Sequence, residues 1–89
     1  MKTTQEKREE IIDAFNDQDY IDMMISDEAI EEELEYWGFQ YMKRINITAS
    51  QYKKYYLYPE LNLSAYVTYS SLTEPVISIY KNEILNPSL

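Results

Sequence analysis

Apolar positions recur along this chain with two different periods, and the change between them falls at Trp37-Gly38. Before that point apolar residues return every three or four positions, the spacing of a helix face; after it they alternate, the spacing of a strand. Thr3-Thr4-Gln5-Glu6 has the form of a capping box, in which the Thr3 hydroxyl accepts the Glu6 N–H while the Glu6 carboxylate reaches back. A first helix is expected to start there. Its stripe of Ile11, Ile12 and Phe15, with Ala14 beside them, is narrow and near the C-terminal end, which leaves the first two turns projecting into solvent. Asn16-Asp17-Gln18-Asp19 interrupts the pattern with residues that favour turns and N-caps. A short second helix, about Tyr20 to Ile25, is apolar on nearly every side and is expected to be largely buried, with Met23 and Met24 filling irregular space.

Ser26 is a good N-cap for a third helix, and Asp27 and Glu28 place negative charge on its first turn, where the helix dipole favours it. At about 100° per residue, Ile30, Leu34 and Trp37 fall within about 60° of one another and form a core-facing stripe. Asp27, Glu28, Glu31, Glu32 and Glu35 fill the neighbouring arc of about 140°. Gly38 is placed to take the left-handed conformation that ends a helix, with Phe39 packing back on the last turn.

Phe39, Tyr41, Ile45 and Ile47 then alternate with Gln40, Met42, Arg44, Asn46 and Thr48, which predicts a first strand with the former set on one face. Ala49-Ser50-Gln51 reads as a turn, Tyr52 to Tyr58 as a second strand, and Pro59-Glu60 as the turn that stops it. Leu61, Leu63, Ala65, Val67 and Tyr69 alternate with polar residues in a third strand, Ser70 to Pro75 breaks it, and Val76 to Lys81 makes a fourth. The predicted fold is α+β, with two or three N-terminal helices packed on one face of a C-terminal antiparallel sheet of about four strands. A helical start followed by strands is similar in outline to a winged helix, but the recognition helix would then carry Glu31 to Glu35, which duplex DNA repels.

With 89 residues, 45% of them hydrophobic, the chain is expected to make one domain. Residues 1–37 form its acidic helical part, 39–81 its sheet, and 82–89 an edge extension or a loose tail. Cysteine and histidine are both absent, which removes disulfides, thiol chemistry, the commonest general base and the commonest metal ligand. Neither a secretion signal nor an apolar run of about 20 residues is present, so a soluble cytoplasmic protein without membrane contact is expected.

The net charge of −8 is unevenly placed. From Met1 to Trp37 thirteen acids stand against Lys2, Lys7 and Arg8; from Gly38 onward Glu60, Glu74 and Glu83 stand against Lys43, Arg44, Lys53, Lys54 and Lys81. Such an acidic half attracts basic protein surfaces and repels nucleic acid and anionic membrane. Asp27 to Glu35 holds six carboxylates in about 12 Å of helix, near one per ~2 Å; duplex DNA carries one per ~1.7 Å of axis. The face therefore has the charge density to imitate a phosphate backbone. The competing expectations are a solvated surface and internal neutralisation by Lys43, Arg44, Lys53 or Lys54.

Asp17, Asp19 and Glu28 stand at the first, third and twelfth positions of a calcium-loop window, but Ile21 and Asp22 occupy the fifth and sixth, where an oxygen ligand and Gly are needed; no metal or cofactor is expected. Eight of the ten tyrosines lie in the second half, where they suit a half-wet sheet or a protein interface. Nothing organises carboxylate, Tyr, Ser or Lys into a phosphate loop, nucleophile elbow or metal cluster, so no enzyme is expected.

The leading expectation is a non-catalytic binding protein. It presents Asp27, Glu28, Glu31, Glu32 and Glu35, with Asp19 and Asp22, to a basic partner surface, and Tyr55 and Tyr58 add packing. In size, acidity and an amino-acid usage suggestive of A/T-rich codons, the chain resembles in type the small anti-CRISPR and anti-restriction inhibitors that phages and mobile elements encode against host nucleases. That resemblance implies inhibition by occupying a nucleic-acid site in the host cytoplasm, without direct nucleic-acid binding. The alternative is a structural or assembly subunit that uses its tyrosine-rich sheet for homodimerisation or docking.

Overall fold

The structure, a computed structural model, describes residues 2–24 and 26–82. Helices α1 (Thr4–Asn16), α2 (Gln18–Asp22) and α3 (Asp27–Trp37) precede strands β1 (Gln40–Thr48), β2 (Gln51–Tyr58), β3 (Leu63–Ser70) and β4 (Val76–Lys81). The strands form one antiparallel sheet in the order β1-β2-β3-β4, and the helices pack against one of its faces, the expected α+β arrangement. No described helix is long and apolar enough to cross a membrane.

Local chemistry sets the helix ends. The Thr3 hydroxyl accepts the Glu6 N–H and the Glu6 carboxylate accepts the Thr3 N–H, closing the capping box of α1. Ser26 accepts the Ala29 N–H to start α3. At the other end Gly38 sits at φ 118°, its N–H donates to the Glu35 carbonyl at 3.0 Å, and the Phe39 N–H donates to the Leu34 carbonyl at 2.9 Å. These two bonds make a Schellman motif, and the Phe39 ring is buried beside it.

The second helix differs from the expectation. Asp17 caps it two residues early, accepting the Asp19 N–H, and it stops at Asp22 with no buried residue. Met24 packs against the core while Met23 is 77% exposed, because a helix of five residues offers the core only one narrow side. Ile25, placed at the end of that expected helix, lies outside the described residues, as does the expected tail beyond Asn82.

Ile11 and Phe15 of α1 and Ile30 and Leu34 of α3 meet Phe39, Tyr56, Leu61, Leu63, Ala65, Val67 and Tyr69 in one core. The register puts Tyr52, Lys54, Tyr56 and Tyr58 of β2 on the helix-covered face and Lys53, Tyr55 and Leu57 on the other. β1 breaks the alternation that its sequence predicts. Register shifts at Tyr41/Lys43 and Asn46/Thr48 mark two bulges. Tyr41 therefore pairs with Tyr56 on the covered side, while Ile45 pairs with Lys53 on the open side and Arg44 takes the covered position opposite Lys54. One inserted residue moves every later side chain to the opposite face.

Candidate functional site

α3 crosses the sheet with Ile30 and Leu34 down and its carboxylates to the side and outward. Of its six acids, two are engaged inside the molecule. Glu31 forms an ion pair with Lys54, whose ammonium also lies 5.9 Å and 5.7 Å from the ring centroids of Tyr41 and Tyr69. The ion pair holds the Lys54 pKa above its ordinary value against the opposing effect of burial. Glu33, on the opposite flank, accepts the hydroxyl proton of Tyr20, and that hydroxyl in turn accepts the Trp37 indole N–H at 2.8 Å. Burial and the bond to Glu33 push the Tyr20 phenol up to about 12. The network ties α2 to α3, and the Tyr20 and Trp37 rings both meet Phe15 of α1 edge-on.

Asp27, Glu28, Glu32 and Glu35 remain. All four are exposed, and none has a cation within ion-pair distance among the described residues. Of the four cations expected to compete for this face, only Lys54 reaches it. Arg44 lies over the Tyr52 ring at 3.8 Å and donates to Asn46, and Lys53 sits on the open face, 4.7 Å from the Tyr66 centroid. Lys43 pairs in register with Tyr55 on that same open face. Four carboxylates in about 12 Å of helix give one per ~3 Å, which is thinner than duplex DNA as a whole and close to the ~3.4 Å axial charge spacing of one strand of a duplex.

The remaining expected residues fall in other places. Asp22 joins Asp27 and Glu74 around a groove of about 560 Å³ that also contains Gln18, Met24 and Val76; Asp19 is exposed on the first turn of α2 and does not line it. Tyr55 stacks on Tyr66 on the open face, with ring centroids 5.0 Å apart. Tyr58 is on the covered face, half-buried edge-on to Phe39 beneath Gly38. The two tyrosines therefore belong to opposite surfaces. The window from Asp17 to Glu28 is folded as α2 and the first turn of α3.

Tyr36 stands outside the expected set yet completes the α3 face. It is 81% exposed and meets the Trp37 ring edge-on. At about 100° per residue it falls within about 40° of Glu32, so an apolar ring on the polar arc was its signal in the sequence. No protein-family model matches the chain, and no curated protein or solved structure shows significant similarity to it.

Proposed function

We propose that the protein is a non-catalytic binding protein whose α3 presents Asp27, Glu28, Glu32 and Glu35, with Tyr36 as an aromatic anchor, to the basic groove of a nucleic-acid-binding partner. The observation that carries this reading is incomplete internal neutralisation: none of the four exposed carboxylates has a cation within ion-pair distance among the described residues, and Lys54, which shares a pocket with Glu35, is paired with Glu31. Carboxylates with about the axial charge density of one strand of a duplex suit a channel that holds nucleic acid, such as that of a nuclease. Occupying the channel would inhibit the partner. An exposed tyrosine beside the charges supplies the apolar contact that charge alone does not, since aromatic residues dominate interface hot spots. Steering by the acidic face makes association fast and salt-sensitive.

The test is affinity capture from the organism that encodes the chain, with the wild type and the D27N/E28Q/E32Q/E35Q variant as baits. The wild type is expected to retain a basic nucleic-acid-binding protein that added single-stranded DNA displaces and that the amide variant does not retain. Retention of the same proteins by both baits, or indifference to competing DNA, refutes the proposal.

A further inference from the structure

The two outer strands of the sheet are built differently. β1 carries two bulges and the charged pair Lys43-Arg44, features that discourage a further strand from adding to an edge. β4 has neither: its pairing with β3 runs without interruption from Thr68↔Val76 to Leu63↔Lys81, and its sequence VISIYK is rich in strand-forming residues. Its far end is firmly placed, because the Ser64 hydroxyl donates to the Asn82 side chain at 2.8 Å and the Asn82 N–H donates to the Asn62 carbonyl at 2.9 Å. Val76 and Tyr80, both on the open face, are each 54% exposed.

We infer that β4 pairs antiparallel with β4 of a second copy, joining two sheets into one of eight strands about a twofold axis at Ser78. This register follows from side-chain matching. Residues opposite each other in an antiparallel pair share a face, so the axis must pass through a residue and not between two. An axis at Ser78 sets Val76 against the second copy's Tyr80, and Ile77 against its Ile79 on the helix side. An axis at Ile79 sets Lys81 against Ile77 and leaves Val76 opposite Asn82.

The ends of the strand carry opposite charges, Glu74 before it and Lys81 at its close. Within one chain they are about 23 Å apart along an extended strand. Across the Ser78 axis Glu74 of each copy comes within one residue of register of Lys81 of the other, twice per dimer. The strand is thus self-complementary in charge only when it runs antiparallel to itself.

Sedimentation velocity on the full chain tests this. The wild type is expected to show a reversible monomer–dimer equilibrium. Ser78→Lys places two ammonium groups at the axis and shifts the chain to monomer. Glu74→Lys and Lys81→Glu each turn two attractive pairs repulsive and raise the dissociation constant about tenfold, and the E74K/K81E double reversal restores it to within about threefold. Far-UV circular dichroism confirms that each variant is folded. A wild type that stays monomeric to about 1 mM, a dimer indifferent to Ser78→Lys, or a double reversal no tighter than the single ones overturns the inference. It does not rest on the function proposed for α3: the amide variant changes no residue of β4, and Ser78→Lys and Lys81→Glu lie outside the groove that Glu74 shares with Asp27, so either proposal fails without the other.

Discussion

Raising the pH should unfold this protein through its tyrosines, and the size of the effect follows from where they sit. Tyr56 and Tyr69 are buried beneath α3, and burial raises both phenols above their ordinary value, with the Glu31 carboxylate adding to the shift. Tyr20 is pushed up to about 12 by burial and its bond to Glu33. In the unfolded chain these groups titrate near 10, so above that pH the native state holds protons that the unfolded state has released, and stability falls as pH rises. At pH 11, one phenol that stays protonated in the fold and titrates near 10 outside it costs about 1.4 kcal/mol; the three together cost about 4 kcal/mol. Lys54 acts in the same direction, since its raised pKa contributes stability that is lost as pH climbs through the folded value. An 89-residue domain is worth about 4–13 kcal/mol in total, so unfolding is expected to begin near pH 11. The assay is tyrosinate absorbance at 295 nm followed alongside far-UV circular dichroism. Tyr20, Tyr56 and Tyr69 should ionise only as the ellipticity collapses. Complete ionisation of the tyrosines with the ellipticity intact would show that these three phenols are not buried as described.

Two conservative changes separate the buried hydroxyls. The Tyr69 hydroxyl is buried without a hydrogen-bond partner among the described residues, so Tyr69→Phe should stabilise the protein by about 1 kcal/mol, whereas Tyr20→Phe, which strips Glu33 and Trp37 of their shared partner, should cost about 1–3 kcal/mol; urea unfolding gives both signs. Gly38→Ala combines an unfavourable φ of 118° with a Cβ 2.5 Å from the Tyr58 ring, and should cost about 2–4 kcal/mol. A Tyr58→Leu background should recover the steric part and leave the backbone part, and additivity of the two changes in a double-mutant cycle would refute the contact.

What the sequence revealed divides along the range of the interactions involved. Thr3, Ser26 and Gly38 mark helix ends through bonds to residues three to five positions away, so the boundaries of α1 and α3 were legible. The length of α2 was not, because its apolar run Tyr20–Met24 looks the same whether or not a core has room for it, and that room is decided by Phe15 and Trp37. Nor was the face of Ile45. A bulge at Met42 depends on how β1 matches β2, and it reverses the assignments from Lys43 to Asn46, until the second bulge restores them. The acidic arc on α3 was legible residue by residue, but its net exposure hung on which cation reached it. Alternation along β2 puts Lys54 on the same face as Tyr52 and Tyr56, and only the packing of α3 above that face brings Glu31 to it.

The outer arc of α3 offers a substitution whose effects on stability and on binding should have opposite signs. Glu28 and Glu32 are four residues apart, both exposed, with no cation between them among the described residues, and such a like-charged pair destabilises a helix by about 0.2–0.5 kcal/mol. Glu32→Lys replaces that repulsion with a Glu-to-Lys pair in the favourable orientation, a net gain of about 0.4–1 kcal/mol. For a chain of this size the gain should raise the melting temperature by about 2–8 °C, and less in high salt. If the face only keeps the protein in solution, nothing else should change. If it engages a basic groove, the same lysine places a cation in the middle of the contact and partner capture should drop at least as far as it does for the amide variant. A Glu32→Lys protein that is both more stable and fully competent for capture would place the partner surface elsewhere and leave α3 as solvated exterior.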